Sequence, residues 1–254
     1  MTDFSGLLPE IASCPIAAAI RSGEIAHSHP CSKIVSLQTG QFFQVPEPWS
    51  GRIDTAPILF ISSNPSIDSL EEYPNEFWDA DRVADFFLNR FTSSAGWVKD
   101  GLYALRLDGS RSKYVRFWAS ARARTCEILM KDKAAIVPGI DFALTEVVHC
   151  KSRGEEGVVD ALRFCSKRYL ERILSITAAK LLVVHGKKAE AEVRECLASV
   201  IEPQLEKQNL VKVDNREKLI AFLPHPNERG SNKSLIENMG SDGLEFIRAF
   251  VAAK

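Results

Sequence analysis

The chain has 254 residues, 45% hydrophobic and 26% charged, with 32 Lys+Arg against 33 Asp+Glu for a net charge of −1. That composition supports a globular core, excludes disordered and fibrous classes, and argues against a protein coated in basic residues for non-specific DNA packing. No apolar run approaches the ~20 residues that cross a bilayer, and the N-terminus (Met1-Thr-Asp-Phe-Ser5) is acidic where a signal peptide would be basic. The expected setting is therefore cytoplasmic, with no membrane partner. There the six Cys are buried thiols or metal ligands and not disulfides.

Residues 1–56 read as a helical or irregular N-terminal extension of a single domain, with a helix around Leu8–Arg21 and a loop through Pro46-Glu-Pro-Trp49. Pro57–Ser62 is a short apolar run stopped by Asn64-Pro65, the pattern of a buried strand ending in a sharp loop. Helices are predicted over Val83–Phe91 and Lys113–Lys131, and a second strand over Phe142–His149. Val158, Leu162, Cys165, Tyr169 and Ile173 recur at helical spacing and predict an amphipathic helix over roughly 156–176. A strand at Lys180–His185, a helix at Lys187–Ser199, a strand at Lys218–Leu223 and a helix from about Asp242 complete the chain.

Strands separated by helices predict a three-layer α/β/α sandwich around a four-stranded parallel sheet. Ligands in such sheets bind beyond the carboxyl ends of the strands. Those ends carry Ser63-Asn-Pro-Ser66, His149-Cys-Lys151, His185-Gly186 and His225-Pro-Asn227. Alone, Asn64 reads as a turn residue and His225 as a surface-loop histidine; together, after the first and last strands, they favour one shared site.

Phe60-Ile-Ser-Ser-Asn-Pro-Ser66 resembles the first motif of the uracil-DNA glycosylase superfamily, and His225-Pro-Asn227 resembles its His-Pro-Ser motif. Between them, Thr145-Glu-Val-Val-His-Cys150, Cys165-Ser-Lys-Arg-Tyr-Leu170 and Leu181-Leu-Val-Val-His-Gly186 look like the iron–sulfur branch, family 4. The resemblance covers roughly 57–240 in register. It implies a monomeric, monofunctional DNA glycosylase that hydrolyses the N-glycosidic bond of a flipped-out base. Lys151, Lys187 and Lys188 are not placed as Schiff-base nucleophiles, so no lyase activity is expected.

In that reading His225 donates to the departing base in a dry pocket. Asn64 places a water without taking its proton, and Asp68 is the second candidate for water activation. Ser63 and Ser66 line the base pocket, with backbone donors around Ser66. Phe77 is the candidate stacking platform, ahead of Tyr73 and Trp78.

Glu146 stands where the family pattern has Asn. A carboxylate accepts from the cytosine amino group, and a protonated carboxyl matches both the amino group and the ring nitrogen, so a modified cytosine-type base is expected. The resemblance associates such bases with defence against phage DNA. The alternatives are a repair glycosylase for uracil or another deaminated base, and a non-catalytic protein that holds a flipped base.

Cys150 and Cys165 match the family's second pair of cluster ligands. Cys14 and Cys31 are the first pair, wider apart than in the family, for a [4Fe-4S] cluster. Asn227, Arg229, Ser231, Asn232 and Lys233 form the loop expected to meet DNA. This loop is polar where the superfamily carries an apolar wedge, which favours single-stranded or distorted duplex DNA. Basic residues between Arg106 and Lys133, interleaved with Tyr114, Phe117 and Trp118, read either as a phosphate-tracking face or as the wet side of a helix.

Overall fold

A computed structural model describes residues 4–39, 42–199, 208–228 and 233–253. Three helices precede the sheet: α1 (Phe4–Ala12), α2 (Pro15–Arg21) and α3 (Ser32–Ser36). The single helix predicted around Leu8–Arg21 is two. Pro15 has no N–H and pushes the residue before it out of the helical region, so Cys14 adopts φ −40°, ψ 115° and α2 starts afresh at Pro15.

The alternating part runs β1 (Ile58–Ser62), α4 (Ala80–Asn89), a small hairpin β2 (Val98–Lys99) and β3 (Tyr103–Ala104), then α5 (Arg116–Leu129) and β4 (Ala143–Glu146). It continues through α6 (Val158–Ile176), β5 (Leu181–His185), α7 (Lys187–Cys196), β6 (Gln208–Val213), β7 (Arg216–Leu223) and α8 (Leu235–Ala252). The central sheet has five strands in the order β4-β1-β5-β7-β6. The four predicted strands are present and mutually parallel; the fifth, β6, pairs antiparallel with β7 at the edge. The expected four-stranded sheet is corrected accordingly. The missed signal is the pair Asp214-Asn215, both at positive φ (46° and 63°), which joins β6 to β7 in a two-residue hairpin.

Strand residues alternate between two apolar clusters. Leu59, Ile61, Leu182, Val184 and Ile220 pack with Leu7 and Ile11 of α1, Phe86 and Phe87 of α4, Ala161 of α6 and Val193 of α7. Phe60, Leu144, Val183 and Ala221 pack with Trp118 and Ile128 of α5 and with Leu244 and Ile247 of α8. Helices thus cover both faces, which gives three layers and explains why the strands read as unbroken apolar runs. The last helix begins seven residues before the predicted Asp242, because Ser234 and Glu237 form a reciprocal capping box and Gly240 (φ 78°) kinks the helix inside.

The N-terminal segment is not an appendage. Trp49 is fully buried, Ser50 bridges to Leu144 on the open side of β4, and Glu47 N–H donates to the His149 carbonyl (2.8 Å).

Candidate functional site: a polar cavity beyond the strand ends and a thiol cavity behind it

The carboxyl ends of β1 and β4 and the loop after β7 open on one cavity of about 670 Å³. Asn64 and His225, which leave the first and last parallel strands, both line it, as do Ser63, Ser66, Asp68, Glu146 and Asn227.

Asn64 is fixed by its amide nitrogen, which donates to Ser152 Oγ and to the Pro65 carbonyl (both 2.9 Å). With both amide hydrogens engaged, Oδ1 is the atom through which Asn64 can hold a water. His225 Nδ1 accepts from the Asn227 N–H (3.2 Å), so the proton of the neutral ring lies on Nε2. Burial pushes the His225 pKa below its usual value, partly opposed by Glu155 and Glu228. The ring lies parallel to Phe117, with centroids 6.3 Å apart. It also approaches Gly186 so closely that a Cβ there would stand 3.1 Å from His225 Cβ, at a φ of 83° that side chains resist. His185 Nδ1 donates to the Pro224 carbonyl (3.1 Å) and holds the loop from below.

Glu146 is buried on β4, and the Ser62 hydroxyl donates to its Oε2. Burial pushes its pKa well above the usual carboxylate value, opposed by the Ser62 hydrogen bond and reinforced by Glu47 and Glu155, which favours the protonated form. Among the described residues it pairs with no cation. Ser63 donates to Glu155 Oε1 (2.8 Å), and Lys188 closes on the other oxygen of the same carboxylate.

The floor of the cavity is a buried ion network that sequence reasoning missed. Arg90 meets Glu47 (3.2 Å) and Glu71, and Lys151 meets Glu71 (2.7 Å) beneath the Tyr73 ring. Lys151 is therefore committed to Glu71 and Lys188 to Glu155. Glu47, Glu71 and Arg90 lie in separate loops and a helix end, so no local spacing announces them.

Several expectations change. Phe77 is 75% exposed, packs on Phe42 and does not line the cavity; Tyr73 is buried in the ion network, and Trp78 lies under Arg82. The aromatic side chains on the cavity wall are Tyr114, Phe117 and Trp118, at the start of α5. In the basic stretch, Arg106 pairs with Asp68, Arg111 with Asp100 and Lys131 with Asp141. Only Arg106, Lys113 and Arg116 of this stretch reach the cavity. In the loop after His225, Lys233 is exposed and its carbonyl accepts from Arg124, while Arg229, Ser231 and Asn232 lie outside the described residues.

Behind the ion network, Cys14, Cys31, Cys150 and Cys165 line one small apolar cavity together with His149, Phe164, Arg168 and Tyr169. All four are free thiols. Burial raises the Cys31 pKa to about 12 and those of Cys150 and Cys165 also upward. Among the described residues no three His, Cys, Asp or Glu side chains stand close enough to share one metal ion. Cys126 and Cys196 are half-buried on α5 and α7, away from this cavity.

No family model and no curated protein matches this chain. The functional reading therefore rests on the chemistry of the two cavities. Among the described residues no helix is long and apolar enough to cross a membrane.

Proposed function

We propose that the protein is a monofunctional DNA glycosylase of the uracil-DNA glycosylase type, acting on a flipped-out, modified cytosine-type base. The observation that carries this reading is that Asn64, His225 and the buried carboxyl of Glu146 line one cavity at the carboxyl edge of the sheet.

Hydrolysis of an N-glycosidic bond requires a water at the sugar carbon, a departing base that takes up the bond's electron pair, and a donor for the resulting anion. Asn64 Oδ1 holds the water by accepting one of its hydrogens, and Asp68, a cavity-wall carboxylate, takes the proton released on attack. His225 Nε2–H donates to the base oxygen as negative charge builds there. A neutral imidazole is suited to this, because donation requires no prior protonation. Neutral Glu146 offers one donor and one acceptor, the complement of the cytosine ring nitrogen and amino group. Phe117, parallel to His225, replaces Phe77 as the stacking platform. Lys113, Arg116 and the loop containing Asn227 and Lys233 meet the DNA backbone.

We assign the second cavity to a [4Fe-4S] cluster held by Cys14, Cys31, Cys150 and Cys165. Four free thiols converging on one dry, apolar pocket fit that group. A four-iron cluster takes one thiolate per iron, so its ligands need not approach as closely as those of a single ion. Such a cluster would tie the N-terminal helices to α6 and to the loop after β4, a structural role.

The test is incubation with oligonucleotides bearing uracil, hypoxanthine, and hydroxymethylated or glucosylated cytosine, followed by detection of abasic sites. Abasic sites at modified cytosine are expected, with Glu146→Asn shifting preference towards uracil. Cleavage at uracil alone would give the repair reading, and base-dependent binding without abasic product would leave a flipped-base binder.

A further inference from the structure

The histidine of the thiol cavity has one ring nitrogen to spare. His149 Nδ1 lies 2.7 Å from the Glu47 carbonyl oxygen, which can only accept, so Nδ1 carries the proton and Nε2 is a bare lone pair. Among the described residues Nε2 meets no hydrogen-bond partner, although the side chain is fully buried. A buried acceptor left in this state is costly and calls for an explanation. The ring lines the same cavity as Cys14, Cys31, Cys150 and Cys165.

The Glu47 contact is the one a ligating imidazole uses. Histidines that bind metal donate their second ring N–H to a carboxylate, a backbone carbonyl or a water, which fixes the tautomer and the ring orientation. Here the clasp is double, because the Glu47 N–H also donates to the His149 carbonyl (2.8 Å). The four thiols are not equally enclosed. Cys31, Cys150 and Cys165 are buried, whereas Cys14 is half-buried just before α2, its Sγ accepting from the Tyr169 hydroxyl (3.6 Å). The Tyr169 ring also meets the His149 ring edge-on, with centroids 5.4 Å apart. Cys14 and His149 therefore pack on one tyrosine at the cavity wall.

We propose that His149 Nε2 is a fifth donor of the thiol cavity, interchangeable with the Cys14 thiolate as ligand to one iron. Imidazole nitrogen replaces thiolate on the iron of some iron–sulfur centres, and here it would keep the site filled when its most accessible thiol is lost. The proposal rests on the cluster assignment and deepens it: the spare ligand is a histidine outside the four-cysteine set, already oriented by Glu47.

The test is anaerobic purification of wild type, Cys14→Ala, Cys165→Ala and Cys14→Ala/His149→Asn. Iron is counted, and the reduced proteins are examined by pulsed electron paramagnetic resonance after labelling with heavy-nitrogen histidine. Alanine cannot ligate iron, and Asn reproduces the Nδ1 donor while lacking Nε2. Thermal melting checks folding, and Cys14→Ser, which keeps a partner for Tyr169, serves as the second variant should alanine impair it. Wild type and Cys14→Ala should each hold roughly four irons per chain, and the Cys14→Ala spectrum should carry a nitrogen coupling that changes with the histidine label. Cys165→Ala and the double variant should lose their iron. Loss of iron from Cys14→Ala while wild type keeps it would overturn the proposal and leave the cluster standing, as would iron retained without histidine coupling. A wild type without iron overturns both the cluster and the proposal.

Discussion

Residues 148–155 form one continuous stretch, yet its two halves face opposite chemistry. Val148, His149 and Cys150 line the thiol cavity, and Lys151 to Glu155 line the polar one. On the first side polar atoms are few, and burial, reinforced among the thiols by their neighbouring cysteines, pushes each shifted group towards its neutral form. On the second, cations and anions are buried together and pair with one another. The contrast shows that burial does not decide whether a group keeps its charge; its partners do.

The sharpest way to break this contrast is to remove one partner from the ion network. Arg90→Ala leaves Glu47 and Glu71 buried without their shared cation, and should cost about 3–5 kcal/mol in urea unfolding. A loss below about 1 kcal/mol would show that the carboxylates simply take up protons.

Acid breaks both sides, at His149 beside the thiols and at His185 under the His225 loop. Burial lowers both pKa values to about 4. Their stabilising contribution is full above the unfolded value of about 6.5 and is lost as pH falls towards 4, by up to about 3 kcal/mol for each. Glu146 has the opposite sign: its raised pKa makes its contribution full at low pH and lost as pH rises. Urea midpoints measured from pH 4 to 9 should fall at both ends, and Glu146→Gln should flatten the alkaline side alone.

Cys150→Ser should abolish the brown colour and the roughly four irons per chain expected of an anaerobic preparation, whereas Cys126→Ser should retain both. The smallest effect separates two aromatics: Phe117→Ala should weaken base-dependent DNA binding by about 1–3 kcal/mol, and Phe77→Ala should leave it unchanged.

The four parallel strands were legible because each is buried on both faces and reads as an uninterrupted apolar run. β6 was not, because it alternates: Val211 and Val213 are buried whereas Leu210 is half exposed. Asn64, His225, Glu146 and Cys150 could be located because they stand at or soon after strand ends, and Cys165 because it lies in the repeat of α6, whereas Cys14 and Cys31 precede α2 and α3 with no such marker. Phe77 failed because distance along the chain after Asn64 says nothing about which way an intervening loop turns; residues 70–77 pair with 105–107 and Gln44 and carry Phe77 outwards. The ion network was invisible for a related reason. Glu47, Glu71, Arg90 and Lys151 meet only after four separate segments have folded.

Glu47 belongs to both environments at once. Its backbone N–H and carbonyl clasp His149, through the His149 carbonyl (2.8 Å) and Nδ1 (2.7 Å), while its carboxylate holds Arg90 under the polar cavity. A single residue therefore works as a rivet between two compartments. Any shift of the thiol-bearing loop would be handed through the chain at Glu47 to the floor of the polar cavity without a moving domain.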